Sequence, residues 1–122
     1  YSWTFTANVA QTRIVLNLGK DVGIYYIDDV EINPAIISLI ANGSFENGSG
    51  DDFTNWGKWN GATRITATTV STEVQEAARA VKVVNPTAGN PWETQLVSDP
   101  MTLTVGQNYT ASVFVKSVTG GE

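Results

Sequence analysis

The sequence contains no cysteine and no histidine. Without cysteine, a disulfide framework and a thiolate metal site are both excluded, and the redox compartment stays undetermined. Without histidine, serine–histidine, cysteine–histidine and zinc–histidine catalysis are excluded together. Several common routes to enzymatic chemistry are therefore closed to this chain.

Charged residues are also scarce, at 16% of the chain, and acidic residues outnumber basic ones by 12 to 7. The net charge of −5 disfavours non-specific binding to nucleic acids and to anionic membranes, because both need a basic surface. No apolar run approaches the roughly 18 to 20 residues of a membrane span. We therefore expect neither a nucleic-acid partner nor a membrane partner.

Helical periodicity is nearly absent, and short alternating segments separated by turn residues recur along the chain. The clearest predicted strands are residues 24–32, IYYIDDVEI, and residues 109–118, YTASVFVKSV. Extended structure is also predicted over residues 12–19, 36–46, 62–70 and 80–84. Residues 71–80 contain helix formers and predict a turn of helix. About eight or nine strands predict one all-β domain, a β-sandwich or jelly roll of two antiparallel sheets.

No pair of acids has the arrangement that glycoside hydrolysis requires, which is two carboxylates across one cleft. Asp28 and Asp29 are adjacent in a predicted strand, so their side chains point to opposite faces. Glu73 and Glu76 are three residues apart, and a solvated face of a turn accounts for them. We therefore predict that the chain is not an enzyme.

The two acids that end the IYYIDD segment, Asp28 and Asp29, raise the question of a cation site. Alternation places one of them toward the interior, where a carboxylate is costly unless it is paired or bound to a cation. Oxygen ligands suit calcium, and Glu46 is a candidate partner for Asp28. The alternative is an edge-strand acid in water.

The aromatic residues divide into packing and exposed candidates. Those at alternating positions, which we assign to the core, are Trp3, Phe5, Phe45, Phe53, Tyr109 and Phe114. Of Trp56 and Trp59, we expect one to cap the core and the other to be exposed. Trp92 follows a loop and begins a predicted strand whose later positions are polar. An exposed tryptophan on a polar strand is typical of a sugar-binding platform.

Three segments together resemble one known family: ANGSFENG at 41–48, NPWETQ at 90–95 and GIYYIDDVEI at 23–32. The chain resembles bacterial carbohydrate-binding modules of the family 4, 9 and 22 type, which are attached to xylanases and related glycanases. The resemblance implies a jelly roll that binds a β-linked plant polysaccharide without catalysis, xylan first and β-glucan second. It also implies an attached catalytic domain and a bacterial protein that is secreted, periplasmic or at the cell surface.

The order of these segments is inverted relative to the family. Residues 1–33 resemble the C-terminal part of a module, residues 41–122 resemble the N-terminal part, and residues 34–40 connect them. A stretch of the family pattern, with a second cleft aromatic and an arginine, is missing. The chain is either a fragment of tandem modules or a permuted single module. A tandem fragment would need strand exchange with a second copy or a neighbouring module to complete a sandwich.

The resemblance also implies specific sugar contacts. Trp92 matches the tryptophan that stacks on a sugar ring, and Gln95 matches a residue that bonds a hydroxyl. Asn17 matches a cleft position on a neighbouring strand, and Glu93 completes the predicted contact set. Strict alternation would separate Trp92 from Gln95, so we expect a β-bulge between them.

Structural calcium is the implied cofactor. Glu46 and Asp28 match the family's ligands, with Glu76 and the backbone near Gly43 and Arg79 as further contributors. The alternative to a sugar-binding module is a structural or adhesion β-sandwich that binds no sugar.

Overall fold

The computed structural model describes residues 1–33 and 38–118. These ranges contain β-strands, two one-turn 3₁₀ helices and no α-helix. The strands are β1 (Ser2–Thr6), β2 (Gln11–Thr12), β3 (Val15–Asn17), β4 (Gly23–Asn33), β5 (Trp56–Asn60), β6 (Ile65–Thr68), β7 (Ala80–Asn85), β8 (Gln95–Ser98), β9 (Met101–Thr102) and β10 (Asn108–Ser117). The 3₁₀ helices span Ala62–Arg64 and Pro91–Glu93. In the described part of the chain, no helix is long and apolar enough to cross a membrane.

The strands form two larger sheets and one short pair. The five-stranded sheet has the order β1-β10-β4-β7-β6, the three-stranded sheet has the order β3-β8-β5, and β2 pairs with β9. All of these pairings are antiparallel. Ile27 of β4, Leu96 of β8 and the loop residue Phe45 are fully buried in one hydrophobic core. The prediction of an all-β sandwich of the jelly-roll class is confirmed.

Strands from both ends of the chain share the same sheets. β4 lies between β10 and β7, and β3 lies beside β8. These pairings are made within one chain and need no exchange of strands with a second copy. Residues 34–37 of the predicted connector lie outside the described residues. The domain bounds and the two accounts of the inverted order stay predictions.

An aromatic cluster fills the centre of the core. The ring of Phe45 is 5.5 Å from that of Phe53, edge-on, and 4.9 Å from that of Trp56. Phe45, Phe53 and Tyr109 are buried, as predicted. Trp3 is 44% exposed, so its assignment to the core is wrong. It lies on β1, the edge strand of the five-stranded sheet, where it has a neighbouring strand on one side only.

The predicted strand over residues 12–19 is interrupted. β2 ends at Thr12, and β3 covers Val15–Asn17. β2 pairs with β9, whereas β3 pairs with β8 in the three-stranded sheet. The break between them is the point at which the chain passes from one sheet to the other.

The prediction of extended structure over residues 36–46 is also wrong for most of its described part. Residues 39–44 form bends and turns, and Asn42 and Phe45 have φ values of 53° and 57°. The Asn42 side chain donates a hydrogen bond to the Asn47 carbonyl at 2.8 Å and accepts one from the Asn47 N–H at 2.9 Å. Such local side-chain bonding gives the backbone an alternative to a strand ladder.

Residues 71–79, which we call the cover segment, form turns over the outer face of the five-stranded sheet. Glu73 anchors the segment, because its carboxylate accepts hydrogen bonds from Tyr26 Oη at 2.6 Å and Lys82 Nζ at 3.2 Å. It also accepts one from the hydroxyl of Thr68. Hydrogen bonds from Thr68, Tyr26 and Lys82 hold the pKa of Glu73 below its ordinary value. The assignment of Glu73 to a solvated face is therefore wrong.

Replacing Glu73 with glutamine is expected to lower the free energy of unfolding at neutral pH by about 1–3 kcal/mol, because a charged acceptor becomes neutral. The pKa of Glu73 is lower in the folded chain, so its stabilisation is present above the ordinary pKa of 4.5 and is lost below it. Urea unfolding at several pH values measures the difference between the two proteins, which should shrink as the pH falls.

The matched control is Glu76→Gln in calcium-free buffer, since Glu76 lies in the same segment with an exposed side chain. This variant should unfold like the wild type. A difference between Glu73→Gln and the wild type that stays constant with pH would contradict the assigned role of the Glu73 charge.

Candidate functional site

Three amide side chains form a row across the outer face of the three-stranded sheet. Asn17 of β3 is paired in register with Gln95 of β8, which is paired with Asn60 of β5. Gln95 Nε2 donates to Asn17 Oδ1 at 2.8 Å, and Asn60 Nδ2 donates to Gln95 Oε1 at 2.9 Å. The next residue along β8, Leu96, is buried in the core on the opposite face. The amide row (Asn17, Gln95 and Asn60) therefore faces away from the core.

A β-bulge in β5 places a tryptophan and Asn60 together on this face. The register shifts at Trp59, so Trp59 and Asn60 together oppose Gln95. Trp59 is 57% exposed, and its ring passes over Gly57, where a Cβ would approach the ring to 3.3 Å. Trp56, at the start of the same strand, lies in the core. Trp56 therefore packs in the core, and Trp59 is exposed on the outer face.

Arg13 lies beside the displayed ring. Its guanidinium carbon is 5.5 Å from the centroid of Trp59. Arg13, Val15 and Asn17 are exposed and alternate with half-buried residues, so they share one side of the chain. The outer face therefore carries an aromatic ring and a cation next to the amide row.

Trp92 reaches the amide row from a turn, not from a strand. Pro91–Glu93 form a 3₁₀ helix, and β8 begins only at Gln95. Asn60 Nδ2 donates to the Trp92 carbonyl at 3.0 Å as well as to Gln95, and the Trp92 side chain is 56% exposed. The expected β-bulge between Trp92 and Gln95 is wrong, because the helical turn already places both residues next to Asn60.

Thr94, just before β8, anchors the Trp92 turn from below. It is fully buried, and its hydroxyl donates to Asn85 Oδ1 at 3.2 Å and accepts from Arg64 Nη1 at 3.2 Å. Asn85 Nδ2 in turn donates to the Leu18 carbonyl. The Leu18 N–H donates to the Thr94 carbonyl at 2.8 Å. Side chain and backbone together fix the turn to the sandwich.

Two glycines allow the backbone to pass close to this turn. A Cβ at Gly19 would lie 2.6 Å from the Asn90 carbonyl oxygen, and one at Gly61 would lie 2.5 Å from that of Glu93. Gly61 also has a φ of 60°, a left-handed conformation that glycine adopts at little cost. The turn that carries Trp92 is thus packed on both sides by backbone.

Glu93 is held within its own turn. Its Oε1 accepts a hydrogen bond from Asn90 Nδ2 at 3.0 Å, and its carboxylate occupies the space next to Gly89 where a Cβ would stand. Glu93 is exposed, yet it makes no hydrogen bond to the amide row. Its predicted contact with sugar stays a prediction.

The sequence pattern did not reveal Asn60, Trp59 or Arg13 as members of this face. The second cleft aromatic and an arginine were expected in the missing part of the family pattern, whereas the described face has a tryptophan and an arginine of its own. Strict alternation assigns Trp59 and Asn60 to opposite faces, and only the pairing with β8 shows the bulge. The glycine in NWGKWNG was the available signal for a close approach at this strand.

The acids predicted to bind calcium hold the cover segment. Asp28 is 1% exposed, and its Oδ2 accepts the N–H groups of Gln75 and Glu76, both at 3.1 Å. Its Oδ1 accepts the Asp29 N–H at 2.9 Å. Burial raises the pKa of Asp28, and these three N–H donors oppose that rise. Asp28 lies on the side of β4 opposite the core residue Ile27, so the cover segment buries it and supplies backbone amides as its partners.

Glu46 binds the end of the same segment. Its Oε1 accepts the N–H groups of Ala78 at 3.1 Å and Arg79 at 2.8 Å. The Gly43 carbonyl accepts the Val30 N–H at 2.9 Å. The Arg79 backbone therefore offers Glu46 a donor, while the Gly43 oxygen already has a partner.

Carboxylate and carbonyl oxygens are the donors that calcium prefers, so the residue types fit this ion. Gly43 and Glu76 line a shared hollow of about 350 Å³, together with Asp29 and Glu31. Within residues 1–33 and 38–118, however, no three acids lie close enough together to hold a metal ion. In the structure, Asp28 and Glu46 accept hydrogen bonds from backbone N–H groups. Calcium stays a prediction, and the sugar binding proposed below does not depend on it.

The groups on and beside the outer face are suited to binding a ligand: two tryptophans are exposed, and the amides form a row. Indole rings pack against flat apolar surfaces, and amide groups both donate and accept hydrogen bonds. A ligand with apolar faces and hydroxyl edges would satisfy both.

Comparison with known proteins gives the family. A family model described as a carbohydrate binding domain matches residues 38–122, which is more than half of the chain. No curated protein and no solved structure matched the chain. The matched range includes Trp59, Asn60, Trp92 and Gln95, so most of the outer face lies within it. The chain belongs to the carbohydrate-binding domain family of the 4/9 type, and its functional class is carbohydrate binding.

Proposed function

We propose that this chain is a non-catalytic module that binds a β-linked plant polysaccharide, with xylan as the first candidate and β-glucan as the second. The observation that carries the proposal is the amide row beside exposed Trp59, with exposed Trp92 on the adjoining turn that Asn60 binds through the Trp92 carbonyl. Family membership supplies the class of ligand, and this face supplies the groups that recognise it.

Binding would combine stacking with hydrogen bonding. The C–H faces of sugar rings would pack on Trp92 and Trp59, and the ring hydroxyls would exchange hydrogen bonds with Gln95, Asn17 and Asn60. The amides already bond one another at 2.8 Å and 2.9 Å, so their positions are set before the ligand arrives. Such preorganisation reduces the side-chain entropy lost on binding.

The proposed biological role is targeting. A bound module would hold an attached glycanase, such as a xylanase, near its polymer and raise the local concentration of substrate. Because plant polysaccharides are extracellular, the module would act outside the bacterial cytoplasm, secreted, periplasmic or at the cell surface.

Replacing Trp92 with alanine is expected to weaken binding about 30-fold or more, since a central tryptophan in a binding site contributes about 2 kcal/mol or more. The control is Trp3→Ala, which removes an exposed tryptophan from the edge of the other sheet and should leave binding unchanged. Affinity electrophoresis in xylan and in β-glucan, with calorimetry on xylohexaose, measures both variants. Equal affinities for the wild type and Trp92→Ala would remove Trp92 from the site.

Asn60 tests the part of the site that only the structure shows. Asn60→Ala removes the hydrogen bonds to Trp92 and Gln95, and we expect about a tenfold loss of affinity, equivalent to about 1.4 kcal/mol. Circular dichroism and thermal melting check that the fold is kept. Unchanged affinity for xylohexaose in a folded variant would mean that the amide row does not contact sugar.

Two other functions predict different results. A structural or adhesion sandwich predicts no change in tryptophan fluorescence on titration with xylohexaose and no retardation in xylan or β-glucan gels. A small glycoside hydrolase predicts release of reducing sugar by the isolated chain. We favour the binding module because the outer face offers aromatic rings and amides, the groups that bind sugars without cleaving them.

Calcium binding at Glu46 and Asp28 is a separate proposal. If calcium binds the folded chain, excess calcium should raise the melting temperature, since a ligand at 100 times its Kd adds about 2.7 kcal/mol to the free energy of unfolding. EDTA should reverse the rise, and Glu46→Gln should abolish it. Identical melting curves in calcium and EDTA would limit both carboxylates to holding the cover segment.

A further inference from the structure

The positive charge of Arg13 has no ion-pair partner among the described residues, although acids outnumber bases in the chain. The sequence has 12 acidic and 7 basic residues, and the ion pairs within the described ranges are Lys58–Asp52 and Lys82–Glu73. Arg64 donates to the Thr94 hydroxyl, and Arg79 donates to backbone carbonyls. Among the described residues, the Arg13 guanidinium has no hydrogen-bond or ion-pair partner, and its aromatic contact is the Trp59 ring. Its N–H groups are therefore available to a ligand.

The contact with Trp59 leaves the donors of Arg13 free. The guanidinium carbon is 5.5 Å from the ring centroid, a distance at which the cation and the aromatic face attract each other. Guanidinium groups can contact aromatic faces while their N–H groups, which lie in the plane at the edges, bind a carboxylate. The ring holds Arg13 on the outer face, on the same side of the chain as Asn17.

We propose that Arg13 and Trp59 form a subsite for a uronic acid, a sugar that carries a carboxylate, in the polysaccharide bound along the amide row. The inference rests on the proposed function and narrows its substrate class to acidic glycans. Trp59 would contact the sugar ring, and Arg13 would bind the carboxylate through two parallel hydrogen bonds. A chain with a net charge of −5 otherwise repels an acidic polymer, so recognition would depend on this local cation.

Matched pairs of ligands test the subsite. One pair is a neutral xylo-oligosaccharide and the same oligosaccharide with a single glucuronic acid branch. The second pair is a β-glucan oligosaccharide and its form oxidised to carboxylate at C6. Calorimetry at low salt should show about tenfold tighter binding of the acidic member of the pair whose backbone the module prefers. The advantage should shrink as salt is added, because the charges lie at an exposed surface.

Variants of Arg13 test whether this residue causes the preference for the acidic ligand. Arg13→Gln should abolish the difference in affinity between the acidic and the neutral ligand. Arg13→Lys keeps the charge but loses the paired donors, so it should retain part of the advantage. Lys20→Gln removes one charge from an exposed residue beyond the end of β3 and should retain all of it. Melting curves confirm that each variant is folded.

The outcomes separate this inference from the proposed function. Equal binding of the acidic and neutral ligands by the wild type would overturn the uronic acid subsite and leave the polysaccharide-binding function standing. The same holds if Arg13→Gln weakens both ligands equally, which would make Arg13 a contact to hydroxyls. An equal loss in Lys20→Gln would show a general charge effect and also overturn the subsite. Binding of none of the four ligands would overturn both proposals.

Discussion

The buried hydrogen bond between Thr94 and Asn85 is the constraint on which the outer face depends. Asn85 ends β7 of the five-stranded sheet, and Thr94 directly precedes β8 of the three-stranded sheet, so the bond joins the two sheets where these strands end and begin. Both side chains are almost completely buried, and loss of either would leave a polar partner without water. Gln95 follows Thr94 directly and Trp92 precedes it by two residues. Because Thr94 is fixed, the positions at which Gln95 and Trp92 reach the solvent-facing side of the sheet are fixed as well.

The sequence predicted the fold well and the site in part, for a physical reason. Long alternating segments such as β4 and β10 follow from burial on alternate sides, and the pattern contains that information. Motif matching put Asn17 and Gln95 on neighbouring strands, and they are paired in register. Asn60 was not placed, because one extra residue in β5 reverses the face that alternation assigns to it. A bulge depends on the partner strand, which alternation along one strand does not encode.

For the acids too, the sequence predicts part of the arrangement: that a buried carboxylate has a partner, but not which group that partner is. A buried carboxylate needs a partner, and the sequence alone establishes that need for one of the two acids, Asp28 or Asp29. It does not establish which partner meets it. In the structure the partners are backbone N–H groups of the cover segment, which Glu46 also holds. A cation and a set of amides solve the same electrostatic problem, so an acid pattern by itself does not distinguish them.

The outer face also draws on both ends of the chain. β3, which carries Asn17, and Arg13 before it both precede the range matched by the family model, whereas Trp59, Gln95 and Trp92 lie within it. An antiparallel ladder depends on the register of two strands and not on the order in which the chain visits them. Inverting the order of the segments therefore preserves the β3–β8 pairing wherever the connections can span the ends. The requirement on any arrangement of these segments is that β3 pairs with β8, because that pairing aligns the amide row.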